Sequence, residues 1–155
     1  MLHIVYGGSA SGKSSYAESF AMSLQGEGRL LYIATMYPYK WNTTEIDPET
    51  MQRIERHRAM RADKGFDTVE CYRHVEHIVA KRQDVLLLEC MSNLLANEMY
   101  LEPDSNAGSD MAETMSPVSN KIVQALIDLS TRVQELVIVT NDVFSDGGSL
   151  TYDES

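Results

Sequence analysis

The segment from Gly7 to Ser14, GGSASGKS, narrows the folds open to this chain more than any other stretch. It matches G-x-x-x-x-G-K-[ST] at every fixed position. It also lies between an apolar run, LHIVY, and a segment with apolar residues at helical spacing, Lys13 to Leu24. A loop so rich in glycine is too pliable to be a core element. Its glycines let successive N–H groups face one concavity at the start of a helix, whose partial positive charge adds to theirs, and phosphate is the group that fills such a cradle. The segment therefore predicts a strand, a phosphate loop and a helix, in that order. Gly7, Gly8, Ser9, Ala10, Ser11 and Gly12 form the cradle, Lys13 reaches the β- and γ-phosphates, and the Ser14 hydroxyl is a ligand for Mg2+.

The rest of the chain continues the alternation. LLYIAT (Leu30 to Thr35), FDTVEC (Phe66 to Cys71), DVLLLEC (Asp84 to Cys90) and LVIVT (Leu136 to Thr140) read as strands; four consecutive apolar residues in the third of these suit a strand covered on both faces. Asp47 before Pro48 is a helix start, an N-cap followed by the position that proline favours, and the helix is expected to reach about Ala62. Further helices are expected over Tyr72 to Lys81, Met91 to Tyr100 and Val118 to Val133, with loops at Met36 to Ile46 and Glu102 to Thr114. Strands alternating with helices imply an α/β fold: a mostly parallel sheet with helices on both faces, P-loop NTPase-like. A length of 155 residues suits a single nucleotide-binding domain over residues 1–155.

Charge limits the partners. Asp and Glu number 23 against 13 Lys and Arg, a formal charge of −10, which argues against nucleic acid or an anionic membrane as the main partner. An anion must then be captured locally. No apolar run approaches the roughly 18 to 20 residues of a membrane span, and two cysteines without a CxxC pair, Cys71 and Cys90, suit a reducing compartment, so a cytoplasmic location is expected.

Two further features bear on chemistry. Glu89 closes the buried run VLLL, so its carboxylate is expected at the C-terminal edge of the sheet, either as a second Mg2+ ligand or as a cap for the next helix. The segment MQRIERHRAMRADK, Met51 to Lys64, gathers Arg53, Arg56, Arg58, Arg61 and Lys64 within 14 positions of an acidic chain. As a helix it places Arg53, His57 and Arg61 on one face and leaves only a ragged apolar stripe. Such a helix is either solvated, neutralised by Glu49 and Glu55, or turned toward a ligand. In the second case neutral His57 is a competent nucleophile toward phosphorus, with guanidinium groups beside it to stabilise the developing charge. His74 and His77 read as surface residues, Cys71 and Cys90 as small core residues, and Asn141 or Asp142, on the same sheet edge as the glycine loop, as candidates to touch nucleotide or Mg2+; Trp41 and the tyrosines near it carry no assigned role.

YGGSASGKSSYAE, LYIAT, RIERHR, TVEC, LLLECMSNLLANEMY and VIVTND, in that order, make the chain resemble the bifunctional adenosylcobinamide kinase / adenosylcobinamide-phosphate guanylyltransferase family of vitamin B12 assembly. The resemblance implies phosphorylation of adenosylcobinamide with ATP or GTP, then transfer of GMP from GTP to adenosylcobinamide phosphate through a guanylylated histidine, here His57. It further implies a nucleotide site made of Gly7 to Ser14, of Ala34, Thr35 and Met36, of Arg58, Ala59, Met60 and Arg61, and of Glu70 and Glu89. A homotrimer is implied in the same way. The loop from Met36 to Ile46 is longer than that family's, and the chain stops at SDGGSLTYDES, where the family continues through a further helix and strand, so the C-terminal portion is expected to be truncated. Two other readings of the residues stay open: a P-loop kinase for another small alcohol, and a GTP- or ATP-binding module without chemistry.

Overall fold

A strand covered on both faces is apolar at nearly every position. The runs singled out above form one parallel sheet in which the three inner strands are of that kind and the two edge strands, Leu2–Gly7 and Phe66–Glu70, keep exposed residues. The computed structural model describes residues 1–7, 12–39, 44–100 and 111–141. The strands are β1 (Leu2–Gly7), β2 (Leu30–Ala34), β3 (Phe66–Glu70), β4 (Val85–Glu89) and β5 (Glu135–Asn141); the helices are α1 (Lys13–Leu24), α2 (Pro48–Ala62), α3 (Met91–Tyr100) and α4 (Met111–Arg132). The sheet order is β1-β5-β4-β2-β3, and every neighbouring pair is parallel. Parallel pairing requires crossovers, and the helices supply them on both faces.

Alternate residues of each strand serve opposite layers. Leu31, Ile33, Leu86, Leu88, Leu136 and Ile138 pack with Leu94 of α3 and with Ile122, Leu126 and Leu129 of α4. Leu30, Tyr32, Val85, Leu87, Val137 and Val139 face the other way, against Ala17 and Ala21 of α1. Each fully buried leucine or isoleucine contributes about 1.5–3 kcal/mol by leaving water. At the N-terminal end of the sheet the buried Asp84 carboxylate accepts the Arg29 backbone N–H (3.0 Å), the Arg29 Nη2 (2.7 Å) and the Lys81 N–H (2.8 Å). These donors outweigh its burial and hold its pKa below the usual carboxylate range. Gly28 lies so close to this corner that a Cβ there would sit 2.0 Å from the Gln83 carbonyl oxygen.

The expected α/β sheet, its five strands and the helix from Pro48 to Ala62 are present. The helix expected over Tyr72 to Lys81 is not: the segment has only a short 3-10 turn, Val75–His77. At its start His74 adopts a left-handed conformation (φ 57°) with its N–H given to the buried Glu98 carboxylate (2.8 Å), and Arg132 takes the Glu76 and Ile78 carbonyls at 2.7 and 3.2 Å. Side chains from α3 and α4 thus take backbone groups that a helix would have paired with itself. α4 begins at Met111, earlier than expected, and runs through Pro117, so the expected loop ends sooner; Met111, Ala112, Glu113 and Met115 are residues that favour or tolerate a helix. Expectations for Gly8, Ser9, Ala10, Ser11, Trp41 and Asp142, and for the C-terminal SDGGSLTYDES, fall outside the described residues.

Candidate active site

The C-terminal ends of the strands converge in one row. In the ladder Ala34 of β2 is level with Glu70 of β3 on one side and Glu89 of β4 on the other, and Gly7 is level with Asn141. In open parallel sheets this edge is where ligands bind. Gly12 precedes α1 with φ 80°, a left-handed conformation that suits glycine and no other residue at comparable cost, and it turns the chain so that Lys13 and Ser14 open the helix. β5 separates β1 from β4, and α1 packs across all three, which carries Ser14 to the β4 side. There the Ser14 hydroxyl donates to Glu89 Oε2. A hydroxyl and a carboxylate meeting beside the phosphate loop form the hard-oxygen donor set that Mg2+ takes, so the residues present fit that ion.

Glu89 is held from below. The fully buried Thr35 accepts the Cys90 N–H at 3.1 Å, and its hydroxyl lies 3.1 Å from the Glu89 carbonyl and 3.3 Å from that of Cys90. Asn97 of α3, itself buried, donates to the Thr35 carbonyl at 2.8 Å. The side chain of Thr35 therefore supports the β4 edge and has no surface toward a ligand, whereas Ala34 and Met36 beside it are partly exposed. On the sheet face shared with α1, the Tyr32 hydroxyl donates to Glu89 Oε1 at 3.3 Å, and burial with the nearby Glu89 charge raises its pKa.

α2 lies over this edge. Asp47 occupies its N-cap position with extended dihedrals, as expected from Asp47-Pro48, but its carboxylate accepts the Thr50 hydroxyl (2.8 Å), not a backbone N–H of the first turn. Of the whole helix only Arg61 is buried. Its guanidinium stacks on the Tyr32 ring with Cζ 3.3 Å from the centroid, a cation–π contact, and its buried Nε has no hydrogen-bond partner among the described residues. One turn on, Lys64 pairs with Glu18 of α1 at 2.5 Å. Arg58 lies 3.5 Å from Glu70, whose other oxygen accepts the Tyr72 hydroxyl at 2.7 Å. Ala59 and Met60 are on the exposed side of the helix.

His57, four residues before Arg61, retains an exposed surface, yet partial loss of water lowers its pKa below the ordinary histidine value. Glu89 opposes that shift, and Arg61, Arg53 and Arg56 add to it. The histidine helix and the Ser14–Glu89 pair thus lie within electrostatic reach of each other. An imidazole whose neutral form is favoured, amid arginines and within electrostatic reach of Glu89, is suited to attack on phosphorus.

The fold brings the expected site residues Lys13, Ser14, Arg58, Arg61, Glu70 and Glu89 to one edge, below the helix that carries His57. Sequence reasoning did not single out Tyr32 and Asn97, which brace that edge. A phenol inside an otherwise aliphatic strand covered on both faces is itself a signal, because its hydroxyl must find a buried partner. Asn97 carries no comparable mark. His74 is partly exposed and His77 exposed; Cys71 is half-buried, with its thiol pushed up to about 11 by burial, which suits packing more than nucleophilic work. Among the described residues no group of three or more His, Cys, Asp and Glu side chains is arranged to hold a metal by itself, and no helix is long and apolar enough to cross a membrane.

A family model described as cobinamide kinase / cobinamide phosphate guanyltransferase matches residues 3–148. The chain is 31% identical over 151 residues to the bifunctional adenosylcobalamin biosynthesis protein CobU of Escherichia coli K12, an alignment covering 92% of this chain and 76% of that protein. It is also 31% identical over 150 residues to the protein of the same name from Salmonella typhimurium LT2, with the same two coverages.

Proposed function

The chain belongs to the cobinamide kinase / cobinamide phosphate guanyltransferase family, and from that membership we propose a two-step activity at the edge just described. In the first step a nucleoside triphosphate, ATP or GTP, gives its γ-phosphoryl group to the hydroxyl of the aminopropanol arm of adenosylcobinamide. In the second, a ring nitrogen of His57 attacks the α-phosphorus of GTP; a P–N bond forms, the bond to the β-phosphate oxygen breaks, and pyrophosphate leaves. A phosphate oxygen of adenosylcobinamide phosphate then attacks the same phosphorus, the P–N bond breaks, and the imidazole returns to its neutral form. Dividing the transfer this way replaces one difficult displacement by two easier ones.

The observation that carries the reading is that α2 is docked over the strand ends, with His57 within electrostatic reach of the carboxylate that accepts the Ser14 hydroxyl. In this reading Gly7 to Ser14 hold the phosphates, Lys13 neutralises their charge, Ala34 and Met36 border the nucleotide, and Arg58, Arg61 and Glu70 complete the site. Ser14 and Glu89 would hold Mg2+, which when bound neutralises the phosphate oxygens. A homotrimer belongs to the same proposal and is tested by light scattering on the purified protein.

The deciding experiment is incubation with α-labelled GTP and Mg2+. Label retained on the protein, lost in acid and stable in alkali, is expected for a phosphoramidate. Label that survives His57→Ala, or none on the intact protein, overturns the assignment.

A further inference from the structure

Tyr32 stands between the two chemistries. Its hydroxyl reaches Glu89 at the phosphate edge, and the face of its ring carries Arg61 of the histidine helix. Elsewhere in α2 only Thr50, Met51 and Ile54 are even partly buried, so this stack, the Arg58–Glu70 pair and the Lys64–Glu18 pair just past its end join the second half of the helix to the strand edge and to α1. Arg61 follows His57 by four residues and shares its face, so whatever fixes the rotation of the helix at Arg61 also fixes the direction of His57. Tyr32 is itself immobilised: it is 5% exposed and meets Phe66 edge to face, with centroids 6.2 Å apart.

We propose that Tyr32 is a positioning residue for guanylyl transfer, whose ring docks the histidine helix through Arg61 while its hydroxyl ties that ring to Glu89. The inference rests on the two-step reading above and adds a residue that touches neither nucleotide nor acceptor. It separates the ring from the hydroxyl. Tyr32→Phe keeps the platform for Arg61 and loses only the bond to Glu89, whereas Tyr32→Leu loses both; Tyr32→Met removes the flat ring with a longer, more adaptable chain and serves if the leucine variant does not fold.

Single-turnover labelling with α-labelled GTP and steady-state phosphorylation of cobinamide are measured on the full chain for each variant. The phenylalanine variant is expected to label within about threefold of the unaltered protein, and the leucine or methionine variant about 10²-fold more slowly, the cost of a misplaced reacting group. Phosphorylation, which does not use His57, is expected to differ by less than about threefold between phenylalanine and leucine. Amide hydrogen exchange over residues 48–62 is expected to quicken in the leucine variant and not in the phenylalanine one.

Equal labelling by the leucine and phenylalanine variants overturns the proposal, as does equal loss of both activities in step with a lower melting temperature. Loss of labelling in Tyr32→Phe also overturns it, since the hydroxyl would then be what matters. Absence of label on the unaltered protein refutes the two-step reading instead, and the exchange experiment still decides whether Tyr32 docks α2.

Discussion

The Thr35 hydroxyl accepts the backbone N–H of Cys90 at 3.1 Å, and so holds the end of β4 directly behind the Glu89 carboxylate. Thr35→Val keeps the volume and removes this acceptor, leaving a backbone donor without its partner. The variant is expected to lose about 1–3 kcal/mol of stability, measured by urea denaturation, and to bind nucleotide more weakly, measured by calorimetry. Retention of both would mean that the β4 edge is held by its ladder alone.

Glu89→Gln keeps the shape of the side chain and removes its charge. With Ser14 as its hydrogen-bond partner, Glu89 is expected to set divalent-cation affinity, so the cation requirement of phosphoryl transfer should rise by roughly 10- to 100-fold. Titration of the initial rate with Mg2+ checks it.

The lowered pKa of His57 fixes the direction of a pH dependence. Only the neutral ring is nucleophilic, so the labelling rate is expected to stay level as pH falls through the ordinary histidine range and to drop below it. Partial loss of water is the leading cause; Arg53 and Arg56 add to it, so Arg53→Gln or Arg56→Gln should move the acid limb to higher pH. A limb that moves the other way excludes that electrostatic account.

Asp84 contributes to acid stability. Its pKa is lowered in the folded chain, so the stability it supplies is present above the ordinary carboxylate value and disappears as pH falls through the lowered one. Asp84→Asn is expected to be less stable at neutral pH, by about 1–3 kcal/mol for weakened hydrogen bonding to the Arg29 and Lys81 N–H groups, and to converge with the unaltered protein in strong acid. Thermal melts across that pH range test the convergence.

Local sequence carried the sheet because burial on both faces leaves a strand such as VLLLE little choice of residue type. It carried the helix start at Asp47-Pro48 for an equally local reason, the fixed φ of proline. The segment YRHVEHIVAK failed because the groups that unmake its helix, Glu98 and Arg132, lie 24 and 54 to 56 residues away along the chain. The site divides in the same manner. Glu89 was legible from its place after a buried run, but the direction of His57 depends on a stack between residues 32 and 61 and on an ion pair between residues 18 and 64, which periodicity within α2 does not encode.

A helix that buries one arginine and little else adds almost nothing to the cohesion of the domain. Its release therefore costs far less than global unfolding, and α2 should be among the first segments cut when a protease is added under native conditions. The residue proposed to carry GMP, His57, thus rides on a part of the molecule that the remaining architecture does not need in order to stand.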